Sequence, residues 1–204
     1  MPEDIKYLVL SEVVYQNIRE SIIDCKYKSG QRLLLKKIAD EMKVSITPVR
    51  EAFKKLEKDG LIRIVPNNGA IVIVFTLRDV VELYDIRRQL ECLAVELLTD
   101  TINKKILDEL VEICDKSDSC LKKGNLNLYV IYNNEFHQLL VKSAQNQRLI
   151  KLYNEISRQL SILARKTANF PGKPKKSVAE HREIIKAMAQ KNVELAKRLI
   201  QDHI

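Results

Sequence analysis

The chain has 204 residues, 46% of them hydrophobic and 30% charged, and Lys plus Arg outnumber Asp plus Glu by 35 to 27 for a formal net charge of +8. A chain of this length makes one large domain or two small ones and folds without staples. Its ordinary apolar content excludes wholesale disorder, and its apolar runs, such as Ala70 to Phe75, are too short to span a membrane. The N-terminus carries no basic stretch ahead of an apolar one, so a soluble, cytoplasmic protein is expected. The basic bias suits an anionic polymer as partner. Cys25, Cys92, Cys114 and Cys120 form no Cys-x-x-Cys pair, which favours reduced thiols over a disulfide frame or a thiolate zinc site.

In chain order, residues 11–25 read as a helix with Val14, Ile18, Ile22 and Ile23 on one face, ended by the turn Lys28-Ser29-Gly30. A short helix over 34–42 follows, with Leu35, Ile38, Ala39 and Met42 at helical spacing. A third helix runs to about Asp59, its apolar face Val49, Ala52, Phe53 and Leu56, with Pro48 in the first turn and Ser45 or Thr47 as cap. After Gly60 the texture changes. Leu61 to Val65 and Ala70 to Phe75 are rich in β-branched residues and flank Pro66-Asn67-Asn68-Gly69, which predicts a β-hairpin. Three helices and a hairpin are the plan of a winged helix-turn-helix.

From Thr76 onward no strand signal appears. Thr76 to Asp79 reads as a capping box opening a helix to about Leu98, and amphipathic stretches follow at 102–122, 126–144, 147–168, 177–189 and 192–204. The expected fold is mainly α: a winged helix-turn-helix over 1–75 and an antiparallel helical bundle over 76–204.

In a helix-turn-helix the second helix of the pair enters the major groove and its N-terminal residues touch base edges. With the apolar face turned inward, Thr47, Arg50 and Lys54 face outward, and Lys36 on the preceding helix approaches the DNA backbone. Arg50 suits a bidentate contact to guanine or a phosphate clamp.

These residues carry a resemblance. Gly30 to Leu33, Ile38-Ala39, Val44 to Phe53, Leu56 and Gly60-Leu61 resemble the DNA-binding domain of the GntR family of bacterial transcription regulators. The resemblance implies a homodimer on a palindromic double-stranded DNA operator. Ile46 stands where that family usually has Arg, and Lys36 where it often has another. In the wing, the resemblance implies that Asn68 and the Gly69 backbone approach the minor groove.

The three histidines are His137, His181 and His203. Asn133 lies four residues before His137, on the same helix face. His181 and His203 are about equally far from the turn at Lys191-Asn192, so an antiparallel helix pair brings them to one end. Three imidazoles and an amide oxygen suit a divalent ion, zinc or nickel, with positions open for a ligand. Spacing alone favours three unrelated surface or capping histidines. Asn133 to His137, Ser143 to Asn146, Glu180-His181, His203 and Tyr84 to Glu91 are similar to the FCD domain of FadR-type GntR regulators. That resemblance implies a dimerising bundle whose cavity holds a metal and a small organic acid, with Asn133 replacing the more usual Asp. Arg87 interrupts an apolar stripe and reads either as the anchor of a carboxylate effector or as an i, i+4 partner of Glu91.

The expected function is a DNA-binding transcription regulator controlled by a small carboxylate, with no catalytic residues. The alternative is a metal-free cavity taking an acyl or other apolar ligand. An enzyme is disfavoured, because no nucleophile elbow, phosphate loop or His-Glu-x-x-His pattern is present.

Overall fold

A computed structural model describes the backbone of residues 3–168 and 172–204 and the side chains of 9–163 and 172–204. The chain divides into two compact units, Met1–Asp79 with Ser161–Leu163, and Val80–Leu160 with Ala164–Ile204.

The first unit contains α1 (Glu3–Ile23), β1 (Arg32–Leu33), α2 (Leu35–Met42), α3 (Ile46–Lys58), β2 (Ile62–Ile64) and β3 (Ala70–Val72). Helix α1 starts well before the expected residue 11 and buries Val14, Ile18 and Ile22; it packs on α3. On α3 the i, i+3, i+4, i+7 stripe Val49, Ala52, Phe53 and Leu56 is fully buried. Removing a Leu or Phe side chain of this kind from water contributes about 1.5–3 kcal/mol. Ser45 occupies the N-cap with extended backbone, yet its side chain makes no capping hydrogen bond. Pro48 removes one of its two candidate donors. An N-cap oxygen takes its hydrogen bond from the second or third helical N–H, and Pro48, at the third position, has none.

The sheet has the order β1-β3-β2 with antiparallel pairs, Arg32 opposite Ile71 and Ile62 opposite Val72. Strand β1 was not expected from the sequence: two residues carry no alternation, and it forms only because β3 offers a free edge. In the hairpin turn the Asn68 N–H donates to the Val65 carbonyl at 3.0 Å, with Asn67 at φ 58° and Gly69 at φ 81°. A Cβ at Gly69 would lie 2.1 Å from the Leu33 carbonyl oxygen. Glycine is thus demanded there by backbone approach as well as by φ.

The second unit is helical: α4 (Leu77–Thr101) from Val80 onward, α5 (Lys104–Lys122), α6 (Leu126–Ser143), α7 (Gln147–Ala168) apart from Ser161–Leu163, α8 (Lys173–Ala189) and α9 (Val193–His203). Thr76 and Asp79 form the expected capping box, Asp79 accepting from the Thr76 N–H at 2.8 Å and Thr76 Oγ1 from the Asp79 N–H at 3.2 Å. Asn103, Asn125 and Asn192 cap α5, α6 and α9 through their side-chain oxygens. Helix α8 begins at Lys173 rather than 177, because Pro174 sits in its first turn where no N–H donor is needed. Phe170 and Pro171 of the expected break lie outside the described residues. The core is built from Leu98, Leu110, Phe136, Leu140, Ile184, Met188 and Ile200, among others. At the α8–α9 turn, Lys191 (φ 57°) donates through Nζ to the carbonyls of Thr99, Asp100 and Ile102, closing the C-terminal end of α4. Among the described residues no helix is long and apolar enough to cross a membrane.

Candidate nucleic-acid interface and metal centre

Because one face of α3 is fully engaged in the core, its other face is outward. Thr47, Arg50 and Lys54 are all exposed there, as is Lys36 on α2. Lys54 Nζ lies 2.8 Å from Glu51 Oε1, both side chains more than half exposed, so water and salt screen the pair. Ile46, at the N-terminal end of the same helix, is 41% exposed, an apolar group on an otherwise basic face. On the hairpin turn Asn68 is exposed and Gly69 is half-buried.

In the helical unit the three histidines do converge. His137 comes from α6, His181 from α8 and His203 from the last turn of α9. The Nε2 atoms of His181 and His203 are 3.0 Å apart and those of His203 and His137 are 3.3 Å apart. One ring nitrogen from each lies within 4.8 Å of the other two. His137 and His181 are buried, each 1% exposed.

Each flanking contact fixes a ring. His137 Nδ1 is 2.6 Å from Glu91 Oε2, and His203 Nδ1 is 2.8 Å from Glu180 Oε2. An ionised carboxylate only accepts, so Nδ1 carries the hydrogen in both rings and donates it. His181 is held differently, stacked on Phe136 with ring centroids 3.8 Å apart and planes 11° from parallel. Burial pushes all three imidazoles below their ordinary value, His137 to about 4, so they are neutral near pH 7. With Nδ1 protonated and the ring neutral, the Nε2 atoms of His137 and His203 present lone pairs to each other. Two lone pairs at 3.3 Å repel unless a cation lies between them. The donor set fits a divalent ion of borderline softness, and the two carboxylates supply the outer contacts that orient metal-binding imidazoles.

Glu91 is fully buried on α4, and Arg87, one turn earlier, donates from Nε to its Oε1 at 2.6 Å. Burial would raise the Glu91 carboxyl, but His137 and the Arg87 guanidinium outweigh it and hold the carboxyl at about 2. Arg87 therefore forms the i, i+4 pair that was one of its two readings. Asn133 sits one turn before His137 on α6, where its Oδ1 accepts from the Tyr129 hydroxyl at 3.1 Å and from Ser177 Oγ at 3.0 Å. Ser177 in turn is one turn before His181 on α8. The anchoring roles of Glu91, Glu180 and Phe136 were not assigned from the sequence. The available signal was Glu91 itself, a carboxylate one turn after Arg87 on an apolar stripe.

Residues 82–204 match the FCD domain, and residues 10–72 match the family described as bacterial regulatory proteins, gntR family. The HTH-type transcriptional regulator YdhC of Bacillus subtilis (strain 168) is 31% identical over 192 residues, 93% of this chain and 85% of that protein. The HTH-type transcriptional repressor RspR of Escherichia coli (strain K12) is 23% identical over 195 residues, 96% of this chain and 86% of that one. Among solved structures, McbR/YncC of E. coli shares the fold, with a TM-score of 0.81 at 22% identity over 95% of this chain and 92% of that chain. A GntR-type regulator from Rhodococcus sp. RHA1 has a TM-score of 0.79 at 26% identity, with the same coverage. The chain belongs to the GntR family of bacterial regulatory proteins with an FCD domain, and it is a DNA-binding transcription regulator rather than an enzyme.

Proposed function

We propose that the protein is a cytoplasmic homodimer on a palindromic operator whose affinity is set by a small carboxylate, bound at a divalent ion, zinc or nickel, among His137, His181 and His203, with the Asn133 amide beside them. The observation that carries this reading is the meeting of imidazole lone pairs with both outer hydrogens committed to Glu91 and Glu180. When bound, the ion supplies a positive charge that offsets the cost of burying an effector carboxylate. Arg87 has five N–H donors, of which Nε serves Glu91; its terminal nitrogens are assigned to the effector.

On the DNA side, Arg50 and Thr47 read bases, Lys54 and Lys36 hold phosphates, and Asn68 with the Gly69 backbone follows the minor groove. A single reading helix spans too few base pairs for selectivity in a genome, so two related by a two-fold axis are needed. Ile86, Leu93 and Leu97 support a dimer: they recur along one side of α4 and are 39–49% exposed, an apolar strip suited to a second copy.

The test strips the full-length protein with a chelator and adds back zinc or nickel. About one ion per chain by mass spectrometry, a raised melting temperature, and an operator mobility shift that changes on adding a small carboxylate are expected. Metal far below one ion per chain, with no thermal shift from either ion, overturns the metal centre.

A further inference from the structure

We infer that the ligand of the histidine centre is a compact dianion, of the short dicarboxylate or phosphate type, rather than a monocarboxylate; the inference rests on the metal reading above and narrows it. The argument is one of charge in a buried place. The three imidazoles are neutral donors, and the side chains one turn before His137 on α6 and one turn before His181 on α8 are not acidic either. At the position one turn before His137 stands Asn133, and one turn before His181 stands Ser177, joined to each other at 3.0 Å. Neither can contribute a negative charge at any accessible pH.

The carboxylates that do approach are already matched. Glu91 is closed against Arg87 at 2.6 Å in a pair that is nearly inaccessible to water, so together they add no net charge. Glu180, one-third exposed, stands 3.5 Å from Lys176 Nζ at the rim. A divalent ion held by His137, His181 and His203 thus receives no negatively charged ligand directly from the chain, and the carboxylates behind the rings are each shared with a cation. Uncompensated charge in a low-dielectric site is costly, and the cost falls with each negative charge the incoming ligand brings. A monocarboxylate leaves one positive charge buried, whereas a dianion leaves none.

Malonate and malonamate separate the two cases, since they match in shape and differ by one charge. Calorimetric titration of the zinc-loaded full chain at pH 7.5 is expected to give malonate at least about tenfold tighter than malonamate. Inorganic phosphate is the third arm. Binding comparable to malonate assigns the centre to compact dianions in general, and absence of phosphate binding restricts it to dicarboxylates. Asn133→Asp places the missing negative charge beside the centre and is expected to bring the two affinities toward equality. Equal affinities for malonate and malonamate in the wild-type protein overturn the inference. Metal content measured on the same samples, before and after titration, separates that result from a failure to hold zinc, which overturns the metal reading and this inference together.

Discussion

The two units place their assigned groups differently, one outside its core and the other within it. In the winged unit the packed interior, from Val14 and Ile18 through Phe53 and Leu56 to Val72, is mostly aliphatic, and the groups assigned to DNA stand outside it. In the helical unit the interior itself holds the titratable groups, with Glu91, His137 and His181 all at 1% exposure or less. The first arrangement lets surface residues change without touching stability. The second ties the proposed site and stability to the same atoms, because every polar group inside must find a partner or cost free energy. Mutations should therefore separate stability from function in the first unit and not in the second.

The largest expected effect is at Glu91. Glu91→Ala leaves the Arg87 guanidinium, 11% exposed, without its carboxylate and frees the His137 ring. Loss of one partner of a buried ion pair costs about 3–5 kcal/mol, which urea denaturation of the helical unit would read directly. A change below about 1 kcal/mol would break the contrast between the two interiors. The same interior predicts a pH dependence for chelator-treated protein. The unfolded chain takes up protons at its histidines as pH falls through 6.5, whereas His137, His181 and His203 are held below that value by burial, His137 to about 4. Between those limits the unfolded state binds more protons, so stability falls as pH falls. Glu91, held at about 2, acts in the same direction at still lower pH. Denaturation midpoints at pH 7.5, 6 and 5 should decline in order; a flat series contradicts the neutral, buried histidines.

A smaller effect is expected in the wing. Gly69→Ala places a Cβ 2.1 Å from the Leu33 carbonyl oxygen at φ 81°, so β1 must part from β3. A strained backbone of this kind costs about 1–3 kcal/mol, and thermal melting of the variant would show it. Smallest in stability, yet large in function, are the groove residues. Arg50→Ala should leave the melting temperature unchanged and cost about 1–3 kcal/mol of operator affinity, while Lys36→Ala weakens binding to all sequences and flattens its salt dependence. Mobility-shift titrations at two salt concentrations measure both. Unchanged operator affinity for Arg50→Ala would remove its assignment as a base reader.

What the sequence made legible follows from how local each signal is. Helices α3 and α6 announce themselves through their own periodicity, and the meeting of His181 with His203 follows from counting outward from the Lys191-Asn192 turn, whereas the place of His137 beside them rests on the resemblance to the FCD domain. The contacts that complete the site are non-local. Glu91 and His137 are 46 residues apart, and Glu180 lies beside His181 in sequence but bonds to His203 on the next helix. No spacing rule links such pairs until three helices are packed. Strand β1 was hidden for the same reason, its two residues becoming a strand only through Ile71 and Ala70 of β3. Ser45 misled in the opposite way, as a residue suited to capping that makes no cap bond, one of its two natural donors being missing at Pro48.

The grip of Lys191 on the last carbonyls of α4 has a mechanical consequence. A helix rises about 1.5 Å per residue, so Glu91 stands about 15 Å from the Thr101 end and Leu77 about 36 Å from it. With the Thr101 end clasped by three hydrogen bonds, α4 is anchored at one end, carries Glu91 near its middle and has Leu77 at its other end. A displacement of about 1 Å at Glu91 reaches about 2.4 Å at Leu77 if the helix stays straight. The ratio of the two is set by where along α4 the buried carboxylate sits.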